Sequence, residues 1–388
     1  MAKLLCFIIK EPGFEAKYEK AEAVGRECNK TFSTIVISHK GKQITSPILV
    51  YSIVRHSLAS MRQANIVHIH GCWSFTAFIV YIAAIILRKI VIVSPMGSLA
   101  FLNIANKKFW KRYLPKWLLY QWIVVKTSHY FIAGDYQEYN FLKKRNKKAG
   151  IACINKTSSN DKISEMLTTL YRHIIDVHCY KFMNDNEKLV LDMLFRRGLD
   201  KYIDSEHAEL FNSQHHPGWI IADDGRQIIS DITPNGWDRI GLLANKMQIW
   251  SFVNSAAWDY NICINPEKGT KTRKIAIDND IFANIKQLKR AFKKKSTSTY
   301  SLLGEMYIAL KYRSYDEEEF IELIRKTKNL KFVSRVEDIL VRKLFLEEGY
   351  IPLPPIYDKG TKRLYARLEK SIKHIDYHIP ETILSKFS

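Results

Sequence analysis

The sequence predicts an α/β protein, in which an N-terminal Rossmann-like, doubly wound parallel sheet is followed by a mostly α-helical C-terminal region. Two observations carry this prediction. Short, continuously apolar segments alternate with helical segments over residues 1–155, which is typical of parallel strands covered by helices on both faces. From residue 156 onward helical patterns follow one another, and clear strand patterns are few.

Six apolar segments are predicted strands, and each is bounded by polar or turn-forming residues. They are residues 4–9, 33–38, 66–70, 90–94, 129–133 and 150–154. The intervening helices are predicted at residues 15–28, 47–63, 74–87, 107–125 and 135–144. Asp135 is expected to cap the last of these helices, and Pro115 to bend the one before it. No GxGxxG follows the first strand, so the dinucleotide fingerprint is absent.

The polar stretch 155–164 predicts a linker, which divides the chain into domains 1–155 and 156–388. A further division of the second region into 156–300 and 301–388 is an alternative. Its predicted helices are 162–181, 187–199, 238–262, 279–294, 300–312, 316–329, 331–348 and 360–375. Residues 219–222 and 227–230 are expected to form a β-hairpin around Asp224 and Gly225.

The charge of the chain is unevenly distributed. The net charge is +21, and residues 1–155 contribute 23 basic against 7 acidic side chains. Between Cys28 and Gly134 there are thirteen Lys and Arg and no Asp or Glu. Such a segment attracts anions such as phosphates, lipid headgroups, nucleic acid or acidic sugars. Compositional drift is the alternative; it explains many of the lysines but explains the missing acids less well, because Asp and Glu remain common elsewhere in the chain.

The cysteines and apolar segments indicate the compartment. Six cysteines occur without a CxxC pair, which favours reduced thiols over a zinc or disulfide framework. The apolar N-terminal segment is too short for a signal peptide. The longest apolar run, residues 73–87, is shorter than the roughly 20 residues that cross a bilayer. We therefore expect a cytoplasmic protein.

Two predicted strands end in distinctive loops, HIHGCWS (68–74) and VSPMGSL (93–99). Each loop places a glycine where a strand gives way to the next element, so that backbone amides can approach a ligand. We expect the two strands to be neighbours and both loops to line one crevice. The candidate substrate-binding residues are His70, Gly71, Trp73, Ser94, Met96, Gly97 and Ser98, with Ser98 expected to donate hydrogen bonds.

The two histidines raise the question of a metal site. His68 and His70 share one face of a strand, but no other ligand lies near them in sequence, so no metal is expected. We expect His68 to be a hydrogen-bonded core residue and His70 to face the crevice. A general base is also hard to assign, because only Glu11, Glu15 and Asp135 are carboxylates near predicted strand ends. The catalytic residues are left unassigned.

Residues 1–155 resemble the N-terminal domain of glycosyltransferase family 4, through a strand ending HIHGxW, a strand ending SPxG, and a basic, Trp-containing helix. The matching segments are NIVHIHGCWSF (65–75), VIVSPMGSL (91–99), the stretch from Lys107 to Lys144, and GIACINKTS (150–158). This resemblance implies half of a GT-B fold and a role in bacterial surface or capsular polysaccharide synthesis. The reaction it implies is retaining transfer from a nucleotide-sugar to a glycan or lipid-linked acceptor, with no further cofactor. Met96 stands where many members have a sugar-contacting histidine.

The second region departs from that family. No Gly-rich phosphate loop follows a strand after residue 150, and no two Glu residues have the family's spacing. Segments 315–330 and 347–364 instead resemble divergent C-terminal regions of Bacteroidetes polysaccharide-synthesis proteins. The alternative is therefore a non-catalytic accessory or binding protein without a donor site. Nucleic acid is not the expected partner, because no zinc finger or RNA-binding aromatic motif occurs.

The segment FWKRYLPKWLLYQW (109–122) combines aromatic, basic and leucine residues. As a helix it fits an anionic membrane surface, with aromatics at the headgroups and cations on the phosphates. The candidate membrane-surface residues are Trp110, Lys111, Arg112, Lys116 and Trp117. The alternative is a helix of the Rossmann layer whose aromatics face the sheet. If the helix does lie on a membrane surface, the protein is expected at the inner face of the cytoplasmic membrane.

Overall fold

The computed structural model divides the chain into two compact units. It describes residues 3–10, 15–30, 32–40, 55, 57–99, 114–154, 159–206, 223–264, 281–373, 377 and 379–385. The first unit comprises residues 1–177 together with 376–388, and the second comprises residues 178–375.

The first unit is built on a six-stranded, all-parallel sheet, which confirms the predicted fold class. The strands are β1 (Lys3–Lys10), β2 (Ser33–Lys40), β3 (Ile66–His70), β4 (Ile90–Ser94), β5 (Tyr130–Ala133) and β6 (Gly150–Cys153). They lie in the order β2-β1-β3-β4-β5-β6. Strands β3 and β4 are neighbours as expected, with His70 opposite Ser94.

The helices of the first unit follow the predicted alternation. They are α1 (Glu15–Glu27), α2 (57–63), α3 (Phe75–Ile86), α4 (114–127), α5 (Tyr136–Arg145), α6 (Asn160–Val177) and the short terminal α17 (Glu381–Leu384). Residues 47–54 and 107–113 of two predicted helices lie outside the described residues. The described part of α4 has Pro115 in its first turn and contains a π-helical turn at Trp117–Gln121.

The two faces of the sheet differ in character. Val67 and Ile69 of β3 belong to an apolar layer that also includes Val80 of α3 and Val124 of α4. Because side chains alternate along a strand, His68 lies on the opposite face, where it is hydrogen-bonded to α6. Helix α1 packs against α6 on that face. Helices thus cover both faces, and only one of them is purely apolar.

The boundary predicted at residue 155 differs from the division of the structure. Helix α6 and residues 376–388 both group with the sheet. Tyr377, in the returning segment, stacks on His129 with 4.4 Å between the ring centroids. A carbonyl oxygen of Tyr377 also lies where a Cβ of Gly150 would stand. A segment that lies more than 200 residues after β6 therefore completes the first unit.

The described residues of the second unit are helical. Its helices are α7 (Cys179–Phe182), α8 (Asp185–Glu206), α9 (Asp223–Ser230), α10 (Pro234–Lys246), α11 (Trp250–Trp258), α12 (Ile281–Lys294), α13 (Thr299–Tyr312), α14 (Glu317–Lys326), α15 (Leu330–Leu344) and α16 (Lys359–Ile372). The predicted hairpin is wrong in its second arm, because residues 227–230 lie in α9, while 219–222 lie outside the described residues. The helix predicted over 238–262 is interrupted at Gln248, whose φ is 62°.

One core holds the second unit together. A single apolar cluster runs from Cys179 to Ile372, so the alternative division at residue 300 cuts through it. Asp192 of α8 is buried and accepts a hydrogen bond from Lys343 of α15 at 2.8 Å, and another from Tyr300 of α13. Because a buried carboxylate needs such partners, this contact fixes α8 against both later helices.

Gly134, directly after β5, lies against the backbone of the loop that follows β4. A Cβ at Gly134 would stand 2.6 Å from the amide nitrogen of Gly97 and 2.7 Å from the carbonyl carbon of Met96. Backbone atoms cannot swing aside as the end of a long side chain can. The loop and the turn therefore approach each other as closely as they do only because residue 134 is glycine.

We expect Gly134→Ala to destabilise the protein by about 1–3 kcal/mol, the usual cost of overpacking a well-packed contact. Urea unfolding followed by circular dichroism measures the change. Gly349→Ala is the matched control, because nothing lies within 4 Å of the Cβ it would add. Equal stability of the two variants would show that the loop after β4 can retreat from Gly134.

Candidate functional site

The order of the strands locates the candidate site. The chain runs from β1 outward to β2 and then returns to β3 on the other side of β1. This reversal between β1 and β3 is the topological switch point, beyond whose carboxyl ends open α/β sheets bind their ligands. His70 is the last residue of β3 and lies opposite Ile8 of β1. The loops at 11–14 and 41–54 lie outside the described residues.

His70 has unused hydrogen-bonding capacity at this switch point. Its ring lies against that of His68, with 3.9 Å between the centroids and a tilt of 36° between the ring planes. Its Nδ1 is buried and has no hydrogen-bond partner among the described residues. Burial lowers the pKa of His70 to about 4, so the ring is neutral at pH 7. A buried polar atom without a partner is uncommon, and a neutral imidazole can donate one hydrogen bond and accept another.

His68 is fully hydrogen-bonded, which confirms the expectation for this residue. Its Nδ1 lies 2.6 Å from the hydroxyl of Tyr171, and its Nε2 lies 2.7 Å from Oγ of Ser94. Burial, with a smaller contribution from His70, holds the pKa of His68 well below its ordinary value. Ser94 is therefore engaged with the core rather than turned toward a ligand.

The fold adds a ligand-type side chain that sequence spacing could not reveal. Cys6 of β1 lies opposite His68 in the sheet, and one donor atom from each of Cys6, His68 and His70 lies within 4.8 Å of the others. Burial raises the pKa of the Cys6 thiol, so it stays protonated. To hold a cation, Cys6 would have to lose its proton and His68 would have to give up a hydroxyl partner. The arrangement observed is a neutral, hydrogen-bonded layer.

The loop after β4 is held by a buried carboxylate. The oxygens of Glu138 accept hydrogen bonds from the backbone amides of Gly97 at 2.8 Å, Leu99 at 2.9 Å and Gly134 at 2.7 Å. Met96 and Gly97 have φ values of 63° and 80°. In this turn the amides of Gly97 and Leu99 converge on one acceptor, and that acceptor is the side chain of Glu138.

This finding corrects the expectation that these amides face a ligand. The amide of Gly97 is bound to Glu138, and the amide of Ser98 donates to the carbonyl of Pro95 at 3.1 Å. The hydroxyl of Ser98 also donates to Pro95, at 2.5 Å, and lies 3.2 Å from Sγ of Cys72. Ser98 is therefore used within the loop and does not donate outward.

Local sequence patterns do not distinguish Glu138, because it lies within a predicted helix and not at the end of a strand. The available signal was the spacing of Asp135 and Glu138, which begins a helix in the manner of a capping box. Asp135 does cap α5, since its side chain accepts the amide of Glu138 at 2.8 Å. The side chain of Glu138, however, accepts hydrogen bonds from amides of the loop after β4 instead of from the amide of Asp135. Burial is the largest influence on Glu138 and raises its pKa to about 7, although the three amides act in the opposite direction.

Trp73 and Gly71 are both engaged in contacts within the protein. The Trp73 side chain is only 3% exposed. Its Nε1 lies 3.4 Å from the carbonyl oxygen of Ser98, and its own carbonyl accepts the Tyr120 hydroxyl at 2.7 Å. Trp73, a candidate substrate-binding residue, is therefore a packed side chain in the structure. Gly71 adopts a φ of 91°, and its amide donates a hydrogen bond to the carbonyl oxygen of Ser94 at 2.9 Å.

The candidate membrane-surface residues are only partly described. Trp110, Lys111 and Arg112 lie outside the described residues, and Lys116 is half-buried. Trp117 was expected at the surface, but it packs against Phe141 with 5.7 Å between the ring centroids. Trp117 is partly buried, and this contact agrees with the alternative in which the aromatic side chains of the helix face the sheet. Other residues of α4 face outward instead.

Comparison with known proteins does not assign the chain to a family. No protein-family model matches the sequence, and no curated protein matches it either. None of the helices that the structure describes combines the length and apolar composition that a bilayer crossing requires.

We expect Glu138→Ala to lower the free energy of unfolding by at least about 2 kcal/mol, because it leaves three buried amides without an acceptor. Glu138→Gln should have an intermediate effect, since it keeps one carbonyl oxygen. Hydrogen exchange at the amides of Gly97 and Leu99 should accelerate in both variants. Glu19→Ala, at an exposed position of α1, is the control. Unchanged protection of both amides in Glu138→Ala would contradict the role assigned to Glu138.

Proposed function

We propose that this chain is a divergent glycosyltransferase of bacterial surface polysaccharide synthesis, which transfers a sugar from a nucleotide-sugar to a glycan or lipid-linked acceptor. The observation that carries the proposal is His70. Its Nδ1, which has no hydrogen-bond partner in the part of the chain that the structure describes, lies at the switch point of a parallel sheet, where such folds bind ligands. A sugar hydroxyl is a natural partner, because it can both donate to and accept from a neutral imidazole.

The charge of the first unit supports an anionic substrate. The segment from Cys28 to Gly134, which contains β2, β3 and β4, has no Asp or Glu. A nucleoside diphosphate develops negative charge as the sugar leaves, and a positive environment stabilises that charge in the transition state. In this proposal the basic residues of the segment stabilise the charge on the leaving nucleoside diphosphate, and His70 orients a hydroxyl group of the sugar. The reaction would proceed with retention, at the cytoplasmic side of the membrane.

A second function is favoured by a different observation. The described residues of the second unit form helices and no second parallel sheet, whereas a GT-B enzyme would use such a sheet for its nucleotide. The amides of the loop after β4 are also occupied by Glu138. A non-catalytic accessory protein that binds a glycan or lipid carrier fits both observations. It would use the same switch point without a donor.

We expect a nucleotide-sugar to raise the melting temperature of the full-length protein, since a ligand that binds only the folded state stabilises it. A panel of UDP- and GDP-sugars tests this by thermal shift and calorimetry. His70→Ala should weaken binding by about five- to tenfold, the cost of one hydrogen bond. Lys148→Ala is the control, because Lys148 is exposed and lies just before β6, at the other end of the sheet.

The outcomes separate the two functions. Release of the nucleoside diphosphate with transfer of the sugar would support the glycosyltransferase. Binding of an oligosaccharide or lipid-linked sugar, without any response to nucleotides, would support the accessory protein. A protein that responds to neither class of ligand, or a His70→Ala variant that binds like wild type, would overturn the proposed use of the switch point.

A further inference from the structure

Five apolar side chains form an exposed surface on α4 and the start of α3. We call this surface the α4 face; it consists of Phe75, Leu114, Leu118, Leu119 and Trp122. Phe75 is 57% exposed, Leu118 63% and Leu119 73%. Large apolar side chains gathered in this way on a protein surface indicate an interaction site, whereas scattered ones do not.

The geometry of α4 explains why this surface is apolar. Tyr120 and Gln121 are buried, and Trp117 packs on Phe141, so the inner side of the helix is already filled. Leu118 and Leu119 fall on the remaining side. The ring of Phe75 lies 6.0 Å from that of Tyr120 between centroids, which places the first turn of α3 beside α4. The apolar surface therefore spans two helices.

The chemistry of the α4 face is that of a membrane interface. Trp122 donates its Nε1 hydrogen to the carbonyl of Leu118 at 3.0 Å, so the indole can enter an apolar layer without losing a partner. The ammonium group of Lys126 lies 5.5 Å from the centre of the Trp122 ring. Aromatic rings beside cations are typical of surfaces that meet lipid headgroups. No acidic residue occurs between Cys28 and Gly134 to oppose an anionic surface.

We propose that the α4 face docks on an anionic phospholipid bilayer, with Leu118, Leu119 and Trp122 inserted at the level of the headgroups. A second copy of this chain is a less suitable occupant. An isologous contact would place the same basic segment of both copies together, and like charges repel. The proposal does not require sugar transfer, since it rests on the exposed residues of α4 and α3 alone.

The test is flotation of the full-length protein with vesicles of phosphatidylcholine, with and without 30% phosphatidylglycerol. We expect binding to the anionic vesicles, weaker binding to the neutral ones, and quenching of Trp122 fluorescence by brominated lipid, read as the difference between wild type and Trp122→Phe. Leu118→Asp with Leu119→Asp should weaken vesicle binding by about tenfold or more, because apolar insertion supplies much of the affinity. Ile86→Asp is the matched control, since Ile86 is 72% exposed but lies at the opposite end of α3.

Three results would overturn the proposal. The wild-type protein could stay at the bottom of the gradient with anionic vesicles. The double variant could float as well as wild type, which would assign binding to charge elsewhere. The double variant could also convert a dimer to a monomer in light scattering, which would assign the α4 face to a contact between copies. Nucleotide-sugar binding, measured separately on the same variants, should be unchanged, so this proposal and the proposed function can fail independently.

Discussion

The carboxylate of Glu138 is the contact on which the carboxyl end of the sheet depends. It joins the loop after β4 to the turn after β5 by accepting amides from both. Gly134 permits the close approach, and Asp135 fixes the first turn of the helix that presents Glu138. Because Met96 has a left-handed backbone, which is unfavourable for a residue with a Cβ, the loop needs such an external constraint to keep its shape.

The polar face of the sheet gives the candidate site its character. His68 is held between Ser94 and Tyr171, and the ring of His70 packs against it with 3.9 Å between the centroids. Tyr171 lies on α6, the helix that the sequence assigned to the other domain. A histidine that is buried, neutral and oriented by its neighbours is better prepared to bind a hydroxyl than a mobile surface histidine, because less conformational freedom is lost on binding. The boundary of the first unit thus bears directly on the site.

The first unit and the second differ in the backbone groups that their architecture can offer to a ligand. The first has the parallel sheet, the two distinctive strand ends and the cationic segment. The described part of the second has a helical core that includes the Asp192 contacts with Lys343 and Tyr300. A sheet offers strand ends at which backbone amides converge, whereas packed helices bury their amides in their own turns. Under the proposed sugar transfer, a donor site in the described part of the second unit would therefore be built from helices.

Most of the helices and strands follow from local sequence patterns, although residues 227–230 are helical rather than a strand and the helix over 238–262 is interrupted. Which elements pack against one another depends on the tertiary structure. Strands β1 to β6 were predictable because runs of apolar residues between turn-forming residues are local signals. The capping role of Asp135 and the hydrogen-bonded state of His68 followed from equally local patterns. Cys6 beside His68, Tyr171 on its ring nitrogen and Glu138 in the loop after β4 join residues 39 to 103 positions apart. Sequence spacing carries no information about such contacts, because they arise only when separate elements pack against one another. The same reason explains Trp117, whose surroundings the sequence left open between a membrane surface and the sheet, and which packs against Phe141.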